Sequence, residues 1–88
     1  MAKLLHVFVC QAGDDLAEIR RATSSAEAQT VLRAAHHLKG AAANLALECI
    51  RKSAFSLETH VRDHGLPGVE SLLDALQAEL AALEAAVR

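Results

Sequence analysis

Four stretches of this chain carry apolar side chains at every third or fourth position, and little interrupts them. Leu5, Phe8, Val9, Ala12, Leu16 and Ile19 form the first stripe, and Val31, Leu38, Ala42 and Leu45 the second. Leu47, Ile50, Ala54, Leu57 and Val61 form the third, and Val69, Leu72, Leu73, Leu76, Leu80, Leu83 and Val87 the fourth. An α-helix turns about 100° per residue, so each set falls on one side of a helix that must bury it against its neighbours. Strong punctuation comes once, at Leu66-Pro67-Gly68, and a weaker stop at Thr23-Ser24-Ser25. Long helices with one apolar face each, joined by short connections, predict an all-α fold, an antiparallel up-down four-helix bundle.

The first helix is expected over residues 3–22, with Gly13 marking a bend or break. Ser24 and Glu27 stand in capping-box spacing for a second helix over residues 25–46, roughly 33 Å long at 1.5 Å per residue. The third helix should close at Gly65 in a left-handed position, and the fourth runs to the end of the sequence.

Bulk composition agrees with this fold. Hydrophobic residues make up 52% of the 88, yet the only aromatics are two Phe, so an Ala/Leu core between closely packed helices is expected rather than a β-sandwich. The whole of residues 1–88 reads as one domain, able to bury about 60–65% of its unfolded surface. A net charge of −2 with mixed signs gives no basic footprint for nucleic acid and no aromatic platform for stacking bases. No apolar run approaches the roughly 18–20 residues that span a membrane, and the segment from Leu4 to Cys10 is too short and lacks a signal peptide's cleavage pattern. Cys10 and Cys49 lie in apolar stretches and are expected to be buried, reduced thiols.

The second stripe leaves His36 on the opposite side of its helix, near the midpoint, facing solvent. Lys39 and Gly40, three and four positions on, are its neighbours one turn away. That is a phosphoryl acceptor's layout. Neutral imidazole is nucleophilic near its unperturbed pKa of roughly 6.5, and a lysine supplies a point charge for phosphoryl oxygens. Gly40 and Ala43 leave the ring uncovered. Glycine inside a helix costs about 0.5–1 kcal/mol against alanine, so its place beside the histidine points to steric access.

The run Ala35-His36-His37-Leu38-Lys39-Gly40-Ala41-Ala42-Ala43-Asn44-Leu45 resembles the signature of histidine-containing phosphotransfer (HPt) domains: Ala-His-x-Leu-Lys-Gly, then small residues, often an Asn, and an apolar position. The likeness spans nearly the whole chain, with an apolar helix around Phe8 and a downstream helix carrying Leu57-Glu58. It departs at Ala46, ten residues after His36, where the family commonly has glycine. The resemblance implies that His36 is phosphorylated, that Lys39 stabilises the phosphoryl group, and that Leu32, Gly40 and Ala43 meet partners together with residues of the first helix. It implies response-regulator receiver domains and a hybrid sensor histidine kinase as partners, Mg²⁺ supplied by the receiver with no cofactor bound by this chain, and a monomer in the cytoplasm.

Glu58, twenty-two residues after His36 on the next antiparallel helix, should lie at about the same height. It could hold one ring nitrogen as a donor, or pair with Arg62 one turn on as a solvated surface glutamate. Arg51, Lys52 and Arg62 are a solvated face or, if they cluster near His36, a means of steering an acidic partner. His37 is turned about 100° from His36 and reads as a poor second acceptor. His60 and His64 have two-ligand spacing without a third donor, so no metal site is assigned, and they are expected near helix-end carbonyls. The chain lacks the phosphate loop and acidic metal-binding set of a kinase. Two alternatives stand beside a relay: the substrate domain of a chemotaxis-type histidine kinase, and a non-catalytic helical interaction module in which His36 is buried or never phosphorylated.

Overall fold

The computed structural model describes residues 2–87 and, for Ala2, the backbone alone. It contains four helices in order: α1 (Ala2–Ser24), α2 (Ala28–Asn44), α3 (Glu48–His64) and α4 (Glu70–Val87). Neighbouring helices pack as α1–α2, α2–α3, α3–α4 and α1–α4, and among the described residues the backbones of the two diagonal pairs stay apart. This is an antiparallel bundle with square cross-section, 36 × 19 × 18 Å.

The apolar stripes meet in the middle. Ile19, Val31, Leu38, Leu57, Val69, Leu73 and Leu76 are the largest fully enclosed side chains, and Phe8, Leu16, Ile50, Val61 and Leu80 close the core around them. Each fully buried Leu or Ile contributes about 1.5–3 kcal/mol of transfer free energy. Buried Ala12, Ala22, Ala35, Ala42 and Ala54 sit among them, which keeps the helix axes close. The outer members of the stripes, such as Leu5, Val9, Leu45 and Leu47, are half-buried.

Gly13 does not break α1, which runs through it; a methyl group there would meet nothing. The two turns flanking α2 are built alike. Glu27 N–H donates to Ala22 O at 2.8 Å and Ala26 N–H to Thr23 O at 3.2 Å. In the second turn Leu47 N–H donates to Ala42 O at 2.9 Å and Ala46 N–H to Ala43 O at 3.1 Å. Ala26 and Ala46 both have φ of 58°. These are left-handed helix ends of the Schellman kind, with alanine in the seat glycine prefers.

The turns shorten α2 at both ends. Ser24 belongs to α1, and Glu27 precedes α2 without a side-chain cap, so the expected capping box does not form. The Glu27 carboxylate instead takes Arg21 at 3.2 Å and Thr30 Oγ1 at 3.4 Å. α2 therefore has 17 residues, about 26 Å, rather than the expected 33 Å. Gly65 does follow α3 with positive φ, 79°, but its ψ of −159° places it in the extended glycine region, not the left-handed helical one.

Both cysteines are free and exposed, contrary to the expectation of buried thiols. Cys10 lies between Phe8 and Ala12 in sequence but points away from their stripe, and Cys49 is one step off buried Ile50.

Candidate functional site

His36 has eight α2 residues on either side of it. Val31, Ala35, Leu38 and Ala42, all at 0% exposure, fix the rotation of the helix about its axis. The opposite side therefore faces solvent, and the His36 side chain is 68% exposed. This runs against the interaction-module alternative in its buried-histidine form.

Antiparallel packing brings α3 alongside. Glu58 follows Leu57 on the inner flank of α3, and its side chain is only 9% exposed, so it is not the solvated glutamate of the alternative reading. Lys39 Nζ donates to Glu58 Oε1 at 2.8 Å. His36 Nδ1 lies 3.1 Å from Oε2, and an Arg62 guanidinium nitrogen 3.4 Å from the same oxygen. Burial pushes the Glu58 carboxyl up, but the hydrogen bond and charge of Lys39, then those of His36, outweigh it and hold the pKa below its ordinary value. An ionised carboxylate only accepts, so it selects the tautomer with the proton on Nδ1, and the lone pair then sits on Nε2.

Lys39 is itself confined. Its ammonium stands 5.2 Å from the centre of the Phe55 ring, and its side chain is 24% exposed. Phe55 is half exposed at the rim of the site. Gly40 is exposed, and a methyl group built on it would touch nothing in this chain. The fold thus gives no reason for glycine there. Ala43 is exposed and Leu32 half-buried on the same helix.

Two neighbours escaped the sequence reading, Phe55 against Lys39 and Asp15; Arg62, expected on Glu58 only as the alternative to His36, reaches the same oxygen as His36 does. His37 Nδ1 lies 2.9 Å from Asp15 Oδ2 on α1. The signal for Asp15 was available. The offset of twenty-two that finds Glu58 from His36 is centred on the α2–α3 turn; the same offset from His37, centred on the α1–α2 turn, finds Asp15. Of the other basic residues, Arg51 pairs with Glu48 at 2.8 Å and does not join His36. His60 Nε2 donates to Pro67 O at 2.7 Å in the loop before α4, rather than to an α3 carbonyl, and stands 5.3 Å from the His64 ring. Among the described residues no group of three His, Cys, Asp or Glu suits a metal ion, and no helix is long and apolar enough to cross a membrane.

A family model described as the Hpt domain matches residues 3–86. The chain belongs to the Hpt domain family. Hpt domains carry out histidine phosphotransfer in two-component signalling and exchange with receiver domains and kinases, and the all-α bundle is the architecture such a domain requires. Neither a curated protein nor a solved structure matches this Hpt domain.

Proposed function

We propose that this Hpt domain relays a phosphoryl group between receiver aspartates through His36. The observation that carries the reading is the buried carboxylate of Glu58, held at once by His36 Nδ1 and Lys39 Nζ beside an exposed ring. In the forward step the Nε2 lone pair attacks phosphorus of an aspartyl phosphate in line. The N–P bond forms as the acyl P–O bond breaks, and the receiver carboxylate leaves with the electron pair. The proton stays on Nδ1, shared with Glu58. Lys39 can pivot from Glu58 onto a phosphoryl oxygen, and Arg62 remains to balance the carboxylate. Mg²⁺ belongs to the receiver cleft in this scheme, since both Glu58 oxygens already face cations.

The docking face combines the exposed crest of α2 at Gly40 and Ala43 with α1 and Leu32. Val7 and Gln11 lie two turns and one turn from Asp15 on the α1 flank that meets α2, and Leu4 lies a turn further. Leu4 and Val7 are exposed apolar residues, suited to a modest, transient interface. The Glu58 arrangement suits direct phosphorylation by a chemotaxis-type kinase equally well. Incubation with a phosphorylated receiver, or with a kinase and ATP, separates the two routes. Acid-labile label on wild type and its loss in His36→Gln is the expected result with a receiver. Label that arises only with kinase and ATP replaces the relay by the kinase-substrate reading, and His36→Gln labelled as fast as wild type removes His36 from either.

A further inference from the structure

His37 repeats the arrangement of its neighbour on the other flank of α2. Its Nδ1 is held by a carboxylate at 2.9 Å, as that of His36 is at 3.1 Å, and the two side chains are 62% and 68% exposed. Asp15 is well covered, with a side chain 22% exposed, and its oxygen as acceptor for Nδ1–H selects the tautomer that leaves Nε2 of His37 with the lone pair. Gly40 is three residues from His37 and four from His36, so one glycine uncovers both rings. A recess of about 390 Å³ lies beside His37, lined by Asp15, Glu18, Thr30, Arg33 and Ala34. Glu18 is tied to Arg21 at 2.6 Å, whereas no described carboxylate pairs with Arg33, one turn before His37. A nucleophilic nitrogen, a carboxylate that fixes its tautomer, an uncommitted guanidinium and an open approach are thus assembled a second time.

We infer that His37 is a second phosphoryl acceptor of this chain, loaded at Nε2 by small phosphoramidate or acyl phosphate donors. With phosphoramidate the lone pair of Nε2 attacks phosphorus, the new N–P bond forms as the donor's P–N bond breaks, and ammonia leaves with that electron pair. The Nδ1 proton stays in place, and Asp15 balances the positive charge that develops on the ring. Arg33 receives the phosphoryl oxygens. A small donor needs no docking surface, so this site works independently of any relay through His36.

The test is uptake from potassium phosphoramidate by wild type, His36→Gln, His37→Gln and the double variant, followed by intact mass and phosphorus NMR. Circular dichroism of each variant establishes that it is folded. The expected result is one acid-labile group on each single variant, up to two on wild type, and uptake by the double variant no faster than its exposed His6 and His64 allow. Asp15→Asn in the His36→Gln background keeps an acceptor for Nδ1 but removes the charge that balances the ring, and should slow uptake by roughly tenfold, the factor for exchanging a charge-assisted hydrogen bond for a neutral one. Folded His36→Gln that takes up phosphate no faster than the double variant overturns the inference, and so does uptake indifferent to Asp15→Asn. Neither result bears on receiver-dependent transfer to His36.

Discussion

Replacing Glu58 with Gln keeps the shape of the side chain and reverses one of its hydrogen bonds. The carboxylate offers Oε1 to Lys39 Nζ at 2.8 Å and Oε2 to His36 Nδ1 at 3.1 Å, with the exposed Arg62 guanidinium 3.4 Å from Oε2. An amide has one acceptor oxygen. Neither Lys39 nor Arg62 can accept, but Arg62 is 56% exposed and free to swing into solvent whereas Lys39 is confined, so the Gln oxygen turns to Lys39 and its NH₂ then faces Nδ1. The imidazole can meet that donor only by moving its proton to Nε2, which removes the lone pair from the attacking nitrogen. Returning to the reactive tautomer forfeits one hydrogen bond, about 1–1.5 kcal/mol, or roughly a tenfold fall in the rate of phosphoryl uptake at saturating donor. Lys39 and the docking face are unchanged, so the apparent affinity for a receiver should hold. Rapid-quench transfer from a phosphorylated receiver measures the rate, and nitrogen-15 shifts of the ring report the tautomer. A variant with wild-type rate and the proton still on Nδ1 would refute the argument that Glu58 sets the nucleophile. The same variant carries a pH signature. Glu58 has its pKa lowered in the fold, so its contribution to stability is full above the ordinary carboxylate value of about 4.3 and fades as pH falls through the folded value. The stability gap between wild type and Glu58→Gln should therefore be wide at neutral pH and close in acid.

Ala46→Gly and Ala26→Gly should each stabilise the bundle. Relief of a left-handed alanine is worth about 1–2 kcal/mol and the extra freedom of glycine in the unfolded chain takes back about 0.4–1, leaving roughly 0.5–1 kcal/mol per site, additive because the turns lie at opposite ends of α2. Thermal melts of both single variants and the double should show increments of a few degrees; a fall in melting temperature would contradict the backbone argument. Gly40→Ala should also raise stability, by about 0.5–1 kcal/mol, because the added methyl meets nothing in the chain. Gly40→Leu should leave the circular dichroism intact while slowing transfer from a receiver much more than uptake from phosphoramidate, and equal slowing of both would mean that the glycine serves the chemistry and not access.

The stripes made the four helices legible because burial on one side imposes a period that the alphabet of side chains cannot hide. Helix ends were less so. Ser24 and Glu27 have capping-box spacing, yet Ala26 takes a left-handed turn whose backbone bonds to Ala22 and Thr23 carry α1 on to Ser24 and start α2 late. The same kind of turn at Ala46 ends α2 where the family commonly has glycine, so the departure seen in sequence marks a real left-handed position. Cys10 and Cys49 were misplaced because a step of about 100° takes a residue from core to solvent, and membership of an apolar stretch does not give its phase. Glu58 could be placed from one assumption, that α3 folds back symmetrically on α2. Phe55 could not, since its contact with Lys39 depends on how far a lysine stem leans across the gap between helices.

With His36 as acceptor, the cluster around Glu58 would have a charge that changes sign with its cargo. With a neutral ring, Glu58 contributes one negative charge and Lys39 and Arg62 one positive charge each, so the empty site carries a surplus of one positive charge. If His36 is the acceptor, loading brings about −1.5 to −2 at neutral pH and turns that surplus into a deficit. An acidic receiver cleft is then drawn to the empty domain and loses that attraction once the phosphoryl group has crossed. Unloading restores the surplus. A single carboxylate shared by two cations would in this way let the domain let go of the partner that has just served it.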